Sequence, residues 1–173
     1  MIFACFRRMC ILEYHMTISE KDRMFIQRAI ELALNAEKEG NPPVGSVIVL
    51  DNKVIGEGAS NLILPVYNPR GHAEMNALDR VDNALWNRAR NMTCYTTLEP
   101  CCMCFGRLLV TGIGRIVYGA IDRKGGSGCL LPHLPVIFEN KKPEFVGPIA
   151  ADQCDPLYQK TAALFNKVVG NFS

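Results

Sequence analysis

Apolar positions recur along the chain with two periods, and the changes of period divide it into helices and strands. Thr17 and Glu20 have the spacing of a capping box, which satisfies backbone N–H groups of a first helical turn. Ile26, Ala29, Ile30, Ala33 and Ala36 follow at helical spacing as one apolar stripe, and Gly40 with Pro42-Pro43 stops it. GSVIVL (Gly45 to Leu50) and KVIGEGA (Lys53 to Ala59) flank Asp51-Asn52 and read as a hairpin. Pro65 and Pro69 mark residues 61–71 as a loop. A second helix is predicted from His72 to Trp86, with Met75, Leu78, Val81 and Leu85 on its buried side. MTCYTTL (Met92 to Leu98) reads as a strand, a third helix follows Pro100 and ends near Gly112, and GRIVYGA (Gly114 to Ala120) reads as a strand. Residues 122–143 are rich in Gly and Pro and carry no periodic signal. Glu144 to Ile149 reads as a last strand, and Ala150 to Val169 contains a final helix. Strands interleaved with helices predict an α/β sandwich around one mixed sheet.

Length and composition narrow this to one domain. The chain has 173 residues, 49% of them apolar and 21% charged, as expected for a packed core and not for disorder. The periodic pattern begins at residue 17, so residues 1–16 are expected to be an N-terminal extension outside the core and 17–173 a single domain. In the opening MIFACFRRMCILEYH, Arg7 and Arg8 interrupt the apolar stretch, unlike a secretory signal. No apolar run approaches the roughly 18 residues of a membrane span, so no membrane partner is expected. Net charge is +2, from 19 basic and 17 acidic residues, too mild to announce a nucleic-acid partner through long-range charge. Eight cysteines in a chain of this length without an export signal point to reduced thiols, some of them metal ligands, and to a cytoplasmic location.

The chemistry concentrates in two short motifs, His72-Ala73-Glu74 and Pro100-Cys101-Cys102-Met103-Cys104. Each falls where a loop or strand hands over to a helix. Together they match the H-x-E…P-C-x-x-C signature of zinc deaminases. Cys101 and Cys104 are three apart and share a helix face. Pro100 suits a helix entry, where its missing N–H costs nothing. In a first turn His72 and Glu74 both lean back toward the helix start, so both can reach a site beyond it. One imidazole and two thiolates leave the fourth tetrahedral position of Zn2+ for water, which is the pattern of a catalytic zinc. Glu74 is then the proton carrier, taking a proton from water and returning it to the ring nitrogen. Cys102 is a competing ligand, and Cys129, His133 and Cys154 are candidates for a separate structural site. Cys94 reads as core. A C-x-x-C redox pair would leave His72 and Glu74 unexplained.

On these motifs, and on PPVGSVIV, GHAEMNAL, TTLEPCCMCFGRLL and IGRIVYGAIDRKGG, the chain resembles the cytidine deaminase-like superfamily. It looks closest to the branch holding tRNA adenosine deaminases, guanine deaminases and related free-base deaminases, over about residues 24–165. The resemblance implies a three-layer α/β/α sandwich around a five-stranded mixed sheet, and a homodimer. It implies His72, Cys101 and Cys104 as zinc ligands and Glu74 as catalytic. Asn61, Arg70, Ala73, Leu98 and Glu99 are expected to contact or rim the substrate, with the backbone near Leu98 to Cys101 holding the ring. Three departures bear on substrate. Asn68-Pro69-Arg70-Gly71 stands where relatives carry Asp-Pro-Thr-Ala; Asn61 follows Gly58-Ala59-Ser60, one residue longer than usual; and the chain offers only Lys160 and Lys167 after Tyr158, where tRNA enzymes carry a strongly basic helix. The expected activity is therefore hydrolytic deamination of a free base or nucleoside, releasing ammonia. Wobble-adenosine deamination in tRNA is the alternative, with Arg107, Arg123, Lys124, Lys141 and Lys142 as a basic rim. An inactive, zinc-stabilised partner subunit is a third reading, against which Glu74 argues.

Overall fold

The computed structural model describes residues 18–168, and the expected N-terminal extension and Thr17 lie outside them. The capping box of helix α1 (Glu20–Lys38) lies two residues beyond the expected one. Ser19 is the N-cap and Asp22 its partner: the Asp22 N–H donates to Ser19 Oγ at 3.1 Å, and the Ser19 N–H donates to the Asp22 carboxylate at 2.9 Å. Asp22 prevails over Glu20 because it is also anchored from the sheet, by the guanidinium of Arg115 and the hydroxyl of Tyr95.

Strands β1 (Gly45–Leu50) and β2 (Lys53–Ala59) form the expected hairpin. Asp51 and Asn52 both take positive φ, the tight turn that matches the twist of paired strands and that Asp and Asn tolerate. β3 (Thr93–Leu98), β4 (Arg115–Ala120) and β5 (Glu144–Val146) complete a sheet of order β2-β1-β3-β4-β5. β1 pairs antiparallel with β2 and β3, whereas β3, β4 and β5 run parallel, so the five-stranded mixed sheet is as expected.

Both faces of the sheet are covered, and the alternation along the strands sorts residues between them. Val47, Val49, Tyr95 and Val117 pack with α1 and α5 (Ala151–Val168) on one face. Ile48, Leu50, Cys94 and Ile116 pack with α2 (Ala73–Asp79) and α3 (Cys102–Thr111) on the other. Cys94 is thus core, as expected.

The second helix is shorter than its apolar stripe predicts. It ends at Asp79, and Asn83–Asn91 forms a separate 3-10 segment. Arg80 closes α2 as its C-cap, and Asp82 starts the next segment as its N-cap, its carboxylate accepting from the Ala84 N–H at 2.9 Å. Within the unassigned 122–143 stretch, Gly128–His133 is a 3-10 segment and Val136–Glu139, α4, a single turn. No helix among the described residues is long and apolar enough to cross a membrane.

The Asp22 network predicts a pH dependence. Burial opposes ionisation of Asp22, but the hydrogen bonds from Arg115, Ser19 and Tyr95 outweigh it and hold its pKa at about 2. The folded pKa is depressed, so this stabilisation is present above the unfolded value near 4 and is lost as pH falls from there toward 2. Asp22→Asn should cost about 2 kcal/mol at neutral pH. In thermal melts the gap from the wild type should close between pH 4 and 2, and a gap that stayed constant would refute the assignment.

Candidate active site

The site lies at one end of the sheet, where β3 and β4 finish and β1 begins. Two helix starts are aimed at it. His72 is the N-cap of α2 and Cys101 the N-cap of α3, so each stands just outside the helix it precedes. This refines the expected arrangement, since Cys101 and Cys104 meet as N-cap and third helical residue and not as two positions of one helix face. Close approach fixes α2 on the sheet. Gly56 and Gly58 of β2 lie against the backbone carbonyls of Ala77 and Ala73, and a Cβ at either would collide with them. Only glycine lets the helix sit that low, which brings Glu74 over β3.

The ligand atoms of His72, Cys101 and Cys104 all lie within 4.8 Å of one another, and His72 Nδ1 is 3.7 Å from Cys101 Sγ. Tetrahedral zinc bonded to sulfur and imidazole nitrogen separates two such ligands by about 3.6 Å, so this group fits the ion. No other such group of His, Cys, Asp or Glu occurs among the described residues. Cys102 and Cys129 are exposed and Cys154 is buried in the α1/α5 core, which removes the competing ligand and the separate structural site. All six cysteines in the described residues are free thiols.

Electrostatics prepares the group for a cation. Hydrogen bonding from the Cys104 thiol, with support from His72, overcomes burial and holds the Cys101 thiol well below its usual range, which favours the thiolate. Burial opposes protonation of His72, but the Cys101 thiolate outweighs it and raises the imidazole pKa. Glu74 is 3% exposed, and burial followed by the Cys101 charge pushes its carboxyl above the usual range. Thr96 of β3 donates to Glu74 Oε1 at 3.1 Å and fixes the carboxylate. A buried carboxyl held beside three metal-ligand atoms is suited to carrying a proton.

A cavity of about 350 Å³ opens over this group. Ala73, Leu98 and Glu99 line it as expected, together with His72, Glu74 and Cys101. Glu99 also braces a neighbouring loop, because its two carboxylate oxygens accept from the N–H groups of Gly128 at 2.8 Å and Asp122 at 3.2 Å. Ser127 is tied to the Pro100 carbonyl through both its N–H and its hydroxyl. The 122–128 loop is thereby lashed to the start of α3. Asn61 and Arg70 do not reach the lining. The Asn61 side-chain oxygen accepts from Asn76, and Arg70 is 3.9 Å from Asp79 on the surface. Arg107 is likewise spent on Asp79 and the Met75 carbonyl, joining α3 to α2. Lys124 of the expected basic rim does line the cavity.

Sequence reasoning missed one wall. Tyr158, Thr161, Ala162 and Phe165 of α5 close the cavity, with Pro42, Val44 and Leu62 beside them. Their spacing on α5 is a legible helical stripe. Nothing local says that it faces the zinc group and not the core.

Residues 19–120 match the model of the cytidine and deoxycytidylate deaminase zinc-binding region. The chain belongs to that family. It is a zinc-dependent hydrolytic deaminase acting on C–N bonds. This deaminase is 36% identical to a tRNA-specific adenosine deaminase of Bacillus subtilis (strain 168), over 78% of this chain and 84% of the relative. It is 39% identical to another of that description from Haemophilus influenzae, over 86% of each chain. A solved structure from studies of A-to-I editing by tRNA:A34 deaminases superposes with a TM-score of 0.69 at 29% identity, covering 78% of this chain and 99% of that one. These relatives overturn the expectation of a free base or nucleoside as substrate. That expectation leaned on the missing basic helix. Similarity spans most of the domain without it, and α5 supplies cavity wall, for which apolar side chains serve and lysines do not.

Proposed function

We propose that this deaminase converts adenosine at the wobble position of tRNA to inosine. The observation that carries the reading is its 36–39% identity, over most of both chains, to enzymes described as tRNA-specific adenosine deaminases. The site supports it. His72, Cys101 and Cys104 would hold Zn2+, which when bound acidifies water and polarises the reacting centre. Glu74 takes the proton from the attacking water and delivers it to the ring nitrogen beside the amine. As the C–O bond forms the ring carbon becomes tetrahedral. Glu74 then takes the remaining proton of the added hydroxyl and passes it to the amine, the C–N bond breaks, the carbonyl forms and ammonia departs. Thr96 keeps the carboxylate aimed throughout. Leu98 and Ala73 give the ring flat apolar contact, and the apolar faces of Pro42, Val44 and Leu62 exclude water. An adenosine must leave its stack to enter such a cavity, which is easiest from a single-stranded anticodon loop.

A homodimer is part of the proposal. Met103 and Val110 on α3, with Val66 and Tyr67 in the 61–71 loop, are exposed apolar side chains that a second copy would cover. Light scattering at micromolar concentration should give twice the chain mass, and a monomer would refute this part.

The test is turnover at near-physiological salt. An anticodon stem-loop with adenosine at the wobble position should release ammonia and yield inosine, while free adenine, adenosine and guanine should not. Turnover of a free base or nucleoside with an inert stem-loop would refute the reading.

A further inference from the structure

The loop that follows β4 brings Asp122, Lys124 and Gly125 to the cavity. It turns on Asp122, whose Oδ1 accepts from the N–H groups of Lys124 and Gly125, both at 3.0 Å. Glu99 spans that turn from the other side. One carboxylate oxygen accepts from the Asp122 N–H at 3.2 Å and the other from the Gly128 N–H at 2.8 Å, so its two donors bracket Lys124. The fit is close, since a Cβ at Gly126 would lie 2.4 Å from Glu99 Cδ. Among the described residues, Lys124 is the one lysine or arginine in the cavity lining, and its ammonium has no ion-pair partner there. A nucleotide within a strand carries a phosphate on each side, and an unpaired ammonium is the group that meets one.

We propose that Glu99 is a positioning residue, whose carboxylate holds the 122–128 loop so that the Lys124 ammonium meets a phosphate of the target strand. The inference rests on the wobble-adenosine reading and adds to it how the loop is set for the RNA. Both Glu99 oxygens are committed to the loop, so Glu99 acts through Lys124 and not on the base. Glutamine keeps the size of the side chain but offers one acceptor, and it turns an amide NH2 toward the second N–H. One end of the loop then comes loose.

The experiment compares wild type, Glu99→Gln, Lys124→Ala and the double variant on the anticodon stem-loop over a range of salt concentrations. Glu99→Gln should raise KM about tenfold, the effect of one lost hydrogen bond, with kcat and zinc content unchanged. Lys124→Ala should raise KM and reduce the slope of log KM against log salt by about one, the mark of one lost phosphate contact. Glu99→Gln should reduce the slope in the same direction. Added to Lys124→Ala, it should raise KM little further, because both changes remove the same contact. A brace that served the fold alone would leave the slope unchanged and add its full effect to that of Lys124→Ala. Gly126→Ala pushes the carboxylate away from the loop side and should repeat the KM effect, so it carries the test if Glu99→Gln fails to fold. A wild-type KM in Glu99→Gln, a loss of zinc or kcat in place of the KM effect, or full additivity with Lys124→Ala overturns the proposal. A wild-type enzyme inert on the stem-loop would instead refute the wobble-adenosine reading.

Discussion

Replacing Glu74 with glutamine should abolish turnover and leave the zinc in place. Glutamine is nearly isosteric and can still accept from Thr96, whose hydroxyl reaches Glu74 Oε1 at 3.1 Å, so the pocket keeps its shape. What it loses is the ability to take and return a proton. General acid and base catalysis is each worth about 10²–10⁴-fold, and one carboxyl serves both roles here, so a loss of several orders of magnitude is expected. Stability should not suffer. Burial raises the Glu74 pKa, so the carboxylate is a liability to the metal-free fold at neutral pH, and the apo midpoint of the variant should equal or exceed that of the wild type. Metal analysis beside single-turnover kinetics reads both effects. A variant that kept zinc and near-native turnover would sink the proton-carrier role.

Cys101→Ala should release the metal. It removes one of the three ligand side chains, and the one whose pKa is lowered toward the thiolate. Zinc should fall from one per chain to a small fraction after dialysis, with activity lost in parallel. The adjacent Cys102→Ala is the control: that side chain is exposed and outside the ligand group, so zinc and activity should stay. The fold should survive both changes, because two apolar clusters hold the sheet to its helices without metal participation. The midpoint of Cys101→Ala should drop only by the binding free energy lost with zinc. Equal zinc in the two variants would remove Cys101 from the ligand set.

The motifs were legible in the chain because their information is local. H-x-E and P-C-x-x-C each sit at a helix start, where sequence alone decides which side chains face outward past the end. The five strands were legible for the same reason. β1 and β2 match their expected ranges residue for residue, because the Asp51-Asn52 turn and the apolar runs define them without outside help. Where the chain misled, a distant partner decided. Asp22, and not Glu20, completes the cap of α1 because Tyr95 and Arg115 hold it from 73 and 93 residues away. Asn61 and Arg70 carry suitable groups near the motif, yet Asn76 and Asp79 take them up and keep them off the cavity. Glu99 lines the cavity, but its carboxylate is committed to the 122–128 loop. The α5 wall was invisible for the converse reason. Its stripe marks an apolar face without saying what lies opposite, and only the packing of α5 on the sheet sets Thr161 beside residues almost ninety positions earlier. Short-range spacing determined the chemistry of the metal group. Long-range packing determined which surfaces the substrate meets, because a side chain with several available partners is assigned only when the fold brings one within reach.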